Sequence, residues 1–212
     1  IPSTYYARTF KGRVPPVWFD VLKQEDYQLI IHASASLAMP TFYGNVFSSV
    51  KHLQMNSPGD SSWQRDEYIT NRMLTFLHKK HHKSFFGFLF FDSVHGYTFP
   101  PTAQKPFVPY KPLNVLAALS SKNPQPYINM YKNAVHFDDS LVGKIISTLK
   151  QQGLWKNTIV IITADHGEEF NDNHQGYWGH DGNLTRVQTH VPLIIHWPGY
   201  TAKRYGHTTT HY

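Results

Sequence analysis

IVIITADHGEEF, Ile159 to Phe170, carries a continuous apolar run into Asp165 and His166, with Gly167, Glu168 and Glu169 behind them. A run that is apolar at every position, rather than at alternate ones, suits a strand covered on both faces. Its exit sets a carboxylate beside an imidazole, and both are good ligands for zinc, manganese and similar divalent ions. Gly167 is expected to let the backbone turn sharply away. Taken alone, the pair reads as readily as a solvated strand exit or a helix N-cap. The rest of the chain must separate the two.

Working outward, continuous apolar segments recur near 28–32, 85–91, 158–164 and 191–196. Between them lie helical periods over Val17–Gln24, Asp66–Leu77 and Asn129–Gln152, the last closed by Gly153. Asp66 and Glu67 read as first-turn acids of the second helix. The alternation predicts an α/β fold with a mainly parallel central sheet flanked by helices. A long proline-rich segment, 100–126, has no period of its own and reads as a lid or binding loop.

In open α/β sheets, ligands bind beyond the carboxyl ends of the strands. Two strands end in ligand chemistry here. The segment at 85–91 exits into Asp92-Ser93-Val94-His95, and the segment at 159–163 exits into Asp165-His166-Gly167. Parallel neighbours would bring both exits to one edge, so Asp165, His166, His95 and His180 are expected to converge. His180 stands in the loop YWGHDGN. His136, His174, His190 and His196 read as packing or loop histidines.

Composition bounds the partners. The 212 residues are 41% hydrophobic and 16% charged, which suits one globular domain. The chain does not begin with Met, and its first residues make no signal peptide. The longest dense apolar run, Phe85 to Phe91, falls far short of the roughly 20 residues that span a bilayer. The piece is therefore read as soluble, with any membrane anchor elsewhere. A formal charge of +6, 14 His and a pI near 9.4 favour anionic partners: lipid headgroups or sulfate and phosphate esters. No familiar reading motif accompanies the charge, so nucleic acid is not expected. The absence of cysteine rules out disulfides and thiolate zinc sites.

NTIVIITADHGEEF, then WGH, then VPLIIHWPG resemble the second half of the sulfatase domain of the alkaline phosphatase superfamily. FGFLFFDSVHGYTFP is similar to that family's central strand, whose following His contacts substrate. YKNAVHFDDSLVGKIISTLKQQGLWKNT is similar to its long helix. The likeness runs through residues 14–211 and implies an alkaline-phosphatase-like three-layer sandwich. SPGDSSWQRDEYIT, YWGHDGN and HVPLIIHWPG resemble the YejM/PbgA group of inner-membrane sulfatase-like proteins of Gram-negative bacteria. That likeness implies a periplasmic domain joined to a membrane bundle. It also implies a role in outer-membrane lipid homeostasis, involving lipopolysaccharide or cardiolipin.

By position, Asp165 and His166 match the family's metal ligands, for Zn, Mn, Mg or Ca. His95 and His180 match groups near the transferred phosphate or sulfate. The family's first-strand acid and its Thr, Ser or modified-Cys nucleophile have no match here. The resemblance therefore implies one truncated domain, 1–212, that carries a half-site. The nucleophile region and C-terminal subdomain would lie outside it. Two functions stay open: a lipid sensor that keeps the metal site, and a metal-dependent sulfatase or phosphoryl or phosphoethanolamine transferase.

Overall fold

The computed structural model describes residues 16–38, 44, 46–50, 53–80, 83–114, 117–118, 123–180 and 183–206. The chain divides into two compact units, Ile1–Thr148 and Leu149–Tyr212.

In the first unit, α1 (Val17–Gln24) follows Pro16 and buries Phe19. β1 (Gln28–Ala33) and β2 (Phe85–Phe90) form a parallel pair, with Gln28 opposite Phe85 and Ala33 opposite Phe90. Phe19, Ile31, Ala33, Leu37 and Phe47 make the core on one side, joined by the partly buried Phe88 and Phe90. Phe47 meets Phe19 and Phe88 edge-on, with centroids 5.6 and 5.2 Å apart. Truncating such a ring to Ala costs about 3–5 kcal/mol.

α2 (Ser62–Leu77) starts four residues before the expected Asp66. The cause is a capping box. Ser61 Oγ accepts from the Gln64 N–H, and Gln64 Oε1 accepts from the Ser61 N–H at 3.0 Å. Apolar periodicity misses this turn because its polar residues, not its apolar ones, face inward. Asp66 is therefore an interior helical residue, fully buried, and not the solvated first-turn acid expected.

α3 (Gln125–Gln151) likewise begins before the expected Asn129. Asn123 Oδ1 accepts from the Gln125 N–H at 3.0 Å. Pro126 falls in the first turn, where a missing N–H costs nothing. Gly153 ends the helix as expected, with φ of +72° and the Leu154 N–H reaching back to Leu149 O. The proline-rich segment is pinned to α3 rather than loose at its middle. Asn133, fully buried, donates to Phe107 O at 3.0 Å and accepts from Phe107 N at 3.1 Å. Asn129 donates to Pro109 O at 2.8 Å.

In the second unit, a 3-10 turn (Trp155–Asn157) leads into β3 (Val160–Thr163). A two-residue hairpin of β4 (Glu169–Phe170) and β5 (Trp178–Gly179) follows, then a single helical turn, α4 (Arg186–Thr189), and β6 (Leu193–His196). The α/β class stands, but the expected sheet needs correction. β2 pairs in parallel with β1, whereas β3 pairs antiparallel with β6, Val160 opposite His196. The expected strands 85–91 and 158–164 thus belong to different two-stranded sheets. Continuous apolar character signals that a strand wants both faces covered; it carries no information on the direction of its neighbour. Among the described residues, no helix is long and apolar enough to cross a membrane.

Candidate metal centre

Beyond β3 the chain runs through Asp165 and His166 to Gly167. This glycine is absent from the positive-φ positions. Its role is close approach. A Cβ there would lie 2.0 Å from Val187 O, and the Gly167 N–H donates to Gln188 O at 2.7 Å. Any side chain would push the 165–168 segment off α4.

His166 Nδ1 sits 2.8 Å from Gly167 O. A carbonyl only accepts, so the proton is on Nδ1 and the lone pair is on Nε2, where a ligand atom is wanted. His180 Nδ1 lies 3.1 Å from Glu168 Oε2. The two imidazoles stack with centroids 4.1 Å apart. One ligand atom each from His166, Glu168 and His180 lie within 4.8 Å of one another. Two imidazoles and a carboxylate form a donor set suited to a zinc-type ion with an open coordination position. Ligand bonds near 2.1 Å would hold these atoms about 3.4 Å apart, so small side-chain rotations would close the set. The residues present fit a divalent metal.

Of the residues expected from sequence, His166 and His180 are brought together here. Asp165 stands at the rim, its carboxylate 60% exposed and its Oδ2 3.8 Å from His166 Nε2. Glu168 was not foreseen as a ligand. The signal was available: residues two apart on an extended segment share a face, so 166 and 168 point alike. Asp181 and Gly182 of the same loop lie outside the described residues.

Glu169 points the other way and is fully buried. Its Oε2 accepts from Gln188 Nε2, Asn183 Nδ2 and Thr185 Oγ1 at 2.8–3.0 Å, and its Oε1 from Asn173 Nδ2 at 3.1 Å. Burial pushes this carboxyl upward, but the donors of Gln188, Asn183, Thr185 and Asn173 outweigh it and hold it below its usual range. The ionised hub ties β4 to the 183–188 segment, and so fixes Glu168 from the next residue. His196 behaves as the packing residue expected, stacked on Trp155 at 3.6 Å.

His95 lies in the first unit, on the turn after β2. Asp66 anchors that turn, accepting the N–H groups of Asp92 at 3.0 Å and Ser93 at 2.7 Å. Asp92 Oδ2 accepts from Ser62 Oγ at 2.8 Å and Arg65 at 3.0 Å, while its Oδ1 is 3.8 Å from His95 Nδ1. Beneath them is Asp138, 8% exposed, whose Oδ1 has no hydrogen-bond partner among the described residues. Burial, then the neighbouring Asp66 and Asp92, push Asp138 up to about 9, so it holds a proton at neutral pH. Burial also raises Asp66, partly offset by the Ser93, Ser34 and backbone donors.

A family model described as Sulfatase matches residues 3–212. The chain belongs to the sulfatase family. Its family relatives include the inner membrane protein YejM of Salmonella typhimurium, 22% identical over 213 residues, which are 100% of this chain and 30% of YejM. Human iduronate 2-sulfatase is 32% identical over 112 residues, covering 49% of this chain and 20% of that protein. The chain thus spans less than a third of these curated relatives. Two solved structures resemble it at a TM-score of 0.61 each. The lipoteichoic acid synthase LtaP of Listeria monocytogenes is 21% identical, with 95% of this chain and 51% of LtaP covered. The C-terminal periplasmic domain of EcEptC of Escherichia coli is 22% identical, with 85% and 51% covered. At such identities these two likenesses speak to the fold alone, which is that of alkaline-phosphatase-like sulfatases.

For a sulfatase-family chain the geometry has a clear division of labour. His166, Glu168 and His180 present donors, Glu168 orients His180, and Glu169 with Gly167 holds the backbone under them. Arg65, Asp66 and Asp92 do the equivalent work for the His95 turn.

Proposed function

We propose that this sulfatase-family chain is the periplasmic part of an inner-membrane protein that handles outer-membrane anionic lipid, lipopolysaccharide or cardiolipin, through a divalent metal centre. The observation that carries this reading is the meeting of His166, Glu168 and His180 ligand atoms within 4.8 Å, in a chain that aligns along its whole length with YejM. His166 presents Nε2, Glu168 orients His180, and Asp165 at the rim completes the ligand set. His180 is assigned the contact with an oxygen of a phosphate or sulfate group, and His95, on its own unit, is assigned the same kind of contact. A bound divalent ion would supply positive charge to stabilise an anionic oxygen.

A second reading, a metal-dependent sulfatase or phosphoryl or phosphoethanolamine transferase, draws support from the 32% identity to iduronate 2-sulfatase over 112 residues. Metal analysis after equilibrium dialysis against Zn or Mn tests the shared centre. Wild-type chain should retain metal, and His166→Ala or His180→Ala should lose it; equal retention in all three sinks both readings. Nitrophenyl sulfate and phosphate then divide them. The 212-residue chain should be silent, because a metal without a positioned nucleophile activates little. Turnover abolished by His166→Ala would establish the enzyme. Metal-dependent binding of cardiolipin vesicles without turnover would establish the sensor.

A further inference from the structure

A second, separate feature of the first unit points to a ligand. Between α2 and β1 lies a solvent-open cavity of about 160 Å³, its polar lining made by His32, Arg72, Thr75 and Lys79. Leu29 and Phe76 form an apolar wall. Positions 72, 75, 76 and 79 recur at the spacing of one helical face, so the cations stand in line along the groove. No carboxylate lines the cavity. Among the described residues, neither Arg72 nor Lys79 forms an ion pair.

His32 supplies the decisive observation. Its Nδ1 is buried and has no hydrogen-bond partner among the described residues. Burial, followed by the charge of Arg72, holds this imidazole below its usual range. Lys79 has an ordinary explanation, since cations suit the carboxyl end of a helix. That explanation does not extend to Arg72, which lies more than a turn further in and lines the same cavity as the imidazole whose protonation it disfavours. An anion seated in the cavity beside them would relieve that repulsion.

We propose that this cavity receives a tetrahedral oxyanion, a phosphate or sulfate group, either free or as a monoester. Arg72 offers a fork of N–H donors that matches two oxygens, Lys79 offers a point charge, and His32 closes the inner side. Thr75 offers the anion no hydroxyl proton, because that proton is given to Asn71 O at 2.8 Å. A water molecule takes about 30 Å³ of liquid, so the volume holds several waters or one oxyanion with an attached carbon. The apolar wall suits that carbon. The site shares no residue with the His166 cluster, and its existence is independent of the metal reading.

The test uses the 212-residue chain, with His32 followed by NMR while inorganic phosphate or sulfate is added. The expected result is saturable movement of the His32 ring signals, with proton uptake on binding. Arg72→Ala and Lys79→Ala should each weaken the anion by about tenfold or more, the worth of one charge-assisted contact. Both residues are exposed, Arg72 on α2 and Lys79 just past its end, and Arg72→Lys keeps the charge while losing the fork, so it should fall between. Vesicles separate the sources. Capture by phosphatidate vesicles but not phosphatidylcholine, competed by inorganic phosphate and lost in Arg72→Ala, identifies a lipid headgroup. Response to inorganic phosphate or sulfate without such capture identifies a free anion. No movement of His32 with either anion, or equal movement in Arg72→Ala, overturns the site.

Discussion

Glu169 and Asp138 are both buried carboxyls beneath a histidine-bearing loop, and they carry opposite charge states. Glu169 is surrounded by side-chain donors from Gln188, Asn183, Thr185 and Asn173, and stays ionised. Asp138 has an oxygen without a partner among the described residues and two acids, Asp66 and Asp92, for neighbours, so it keeps its proton. Burial alone therefore does not decide whether an acid is charged. The supply of donors does. One loop is built on an anion that collects N–H and O–H groups, the other on a neutral acid wedged between anions.

The comparison breaks most visibly at Glu169. Glu169→Ala strands four side-chain donors at once, that of the buried Gln188 among them, and should cost about 3–5 kcal/mol, as expected when one partner of a buried charged network is removed. Urea unfolding measures it, and metal retention should fall with it because Glu168 is adjacent. A loss below about 1 kcal/mol would deny the hub role. Next in size is Asp66→Ala, which strips two backbone N–H groups of their acceptor and should cost about 2–3 kcal/mol. Amide exchange at Asp92 and Ser93 should quicken in step.

Asp138→Asn has the opposite sign and should stabilise at neutral pH, because the unfolded Asp ionises there while the folded residue keeps its proton. Its signature is in pH. A carboxyl raised to about 9 contributes stability that is complete below the ordinary carboxylate range and is lost progressively as pH rises from that range to about 9. Asp138→Asn should flatten that decline. Glu169 has the opposite sign: its contribution is present above the ordinary Glu range and is lost as pH falls through its lowered folded value. Unfolding followed across pH, in wild type and in Asp138→Asn and Glu169→Gln, should show the two declines separately.

What the sequence made legible follows from the same physics. Strands at 28–33, 85–90 and 160–163 announce themselves as apolar runs, although Ile161 on the last is 60% exposed rather than covered on both faces. His166 and His180 were legible as site residues through their motifs and family likeness. The antiparallel β3–β6 pairing was not, since strand direction depends on partners far away in the chain. Asp66 and Asp138 were hidden for another reason. An acid on an amphipathic helix reads as solvent-facing, and only tertiary contact reveals that it faces in. Glu168 and Glu169 are adjacent and identical in type, yet one presents a ligand atom and the other anchors a loop. Which does which depends on which side of the chain Asn183, Thr185 and Gln188 approach.

The first turn of α2 has one more implication, for insertions and deletions. Ser61 and Gln64 fix where the helix begins, while Ser62, Arg65 and Asp66 reach the end of β2. Each helical residue advances the direction of a side chain by about 100°. A residue added within 53–60, before the cap, lengthens only a connection and should be absorbed there. A residue added between Gln64 and Arg65 keeps the cap but swings Arg65 and Asp66 away from Asp92 and Ser93. The helix would survive and the turn bearing His95 would lose its footing. This stretch therefore works as a gauge, tolerant of many substitutions on its outer face and intolerant of any change in count.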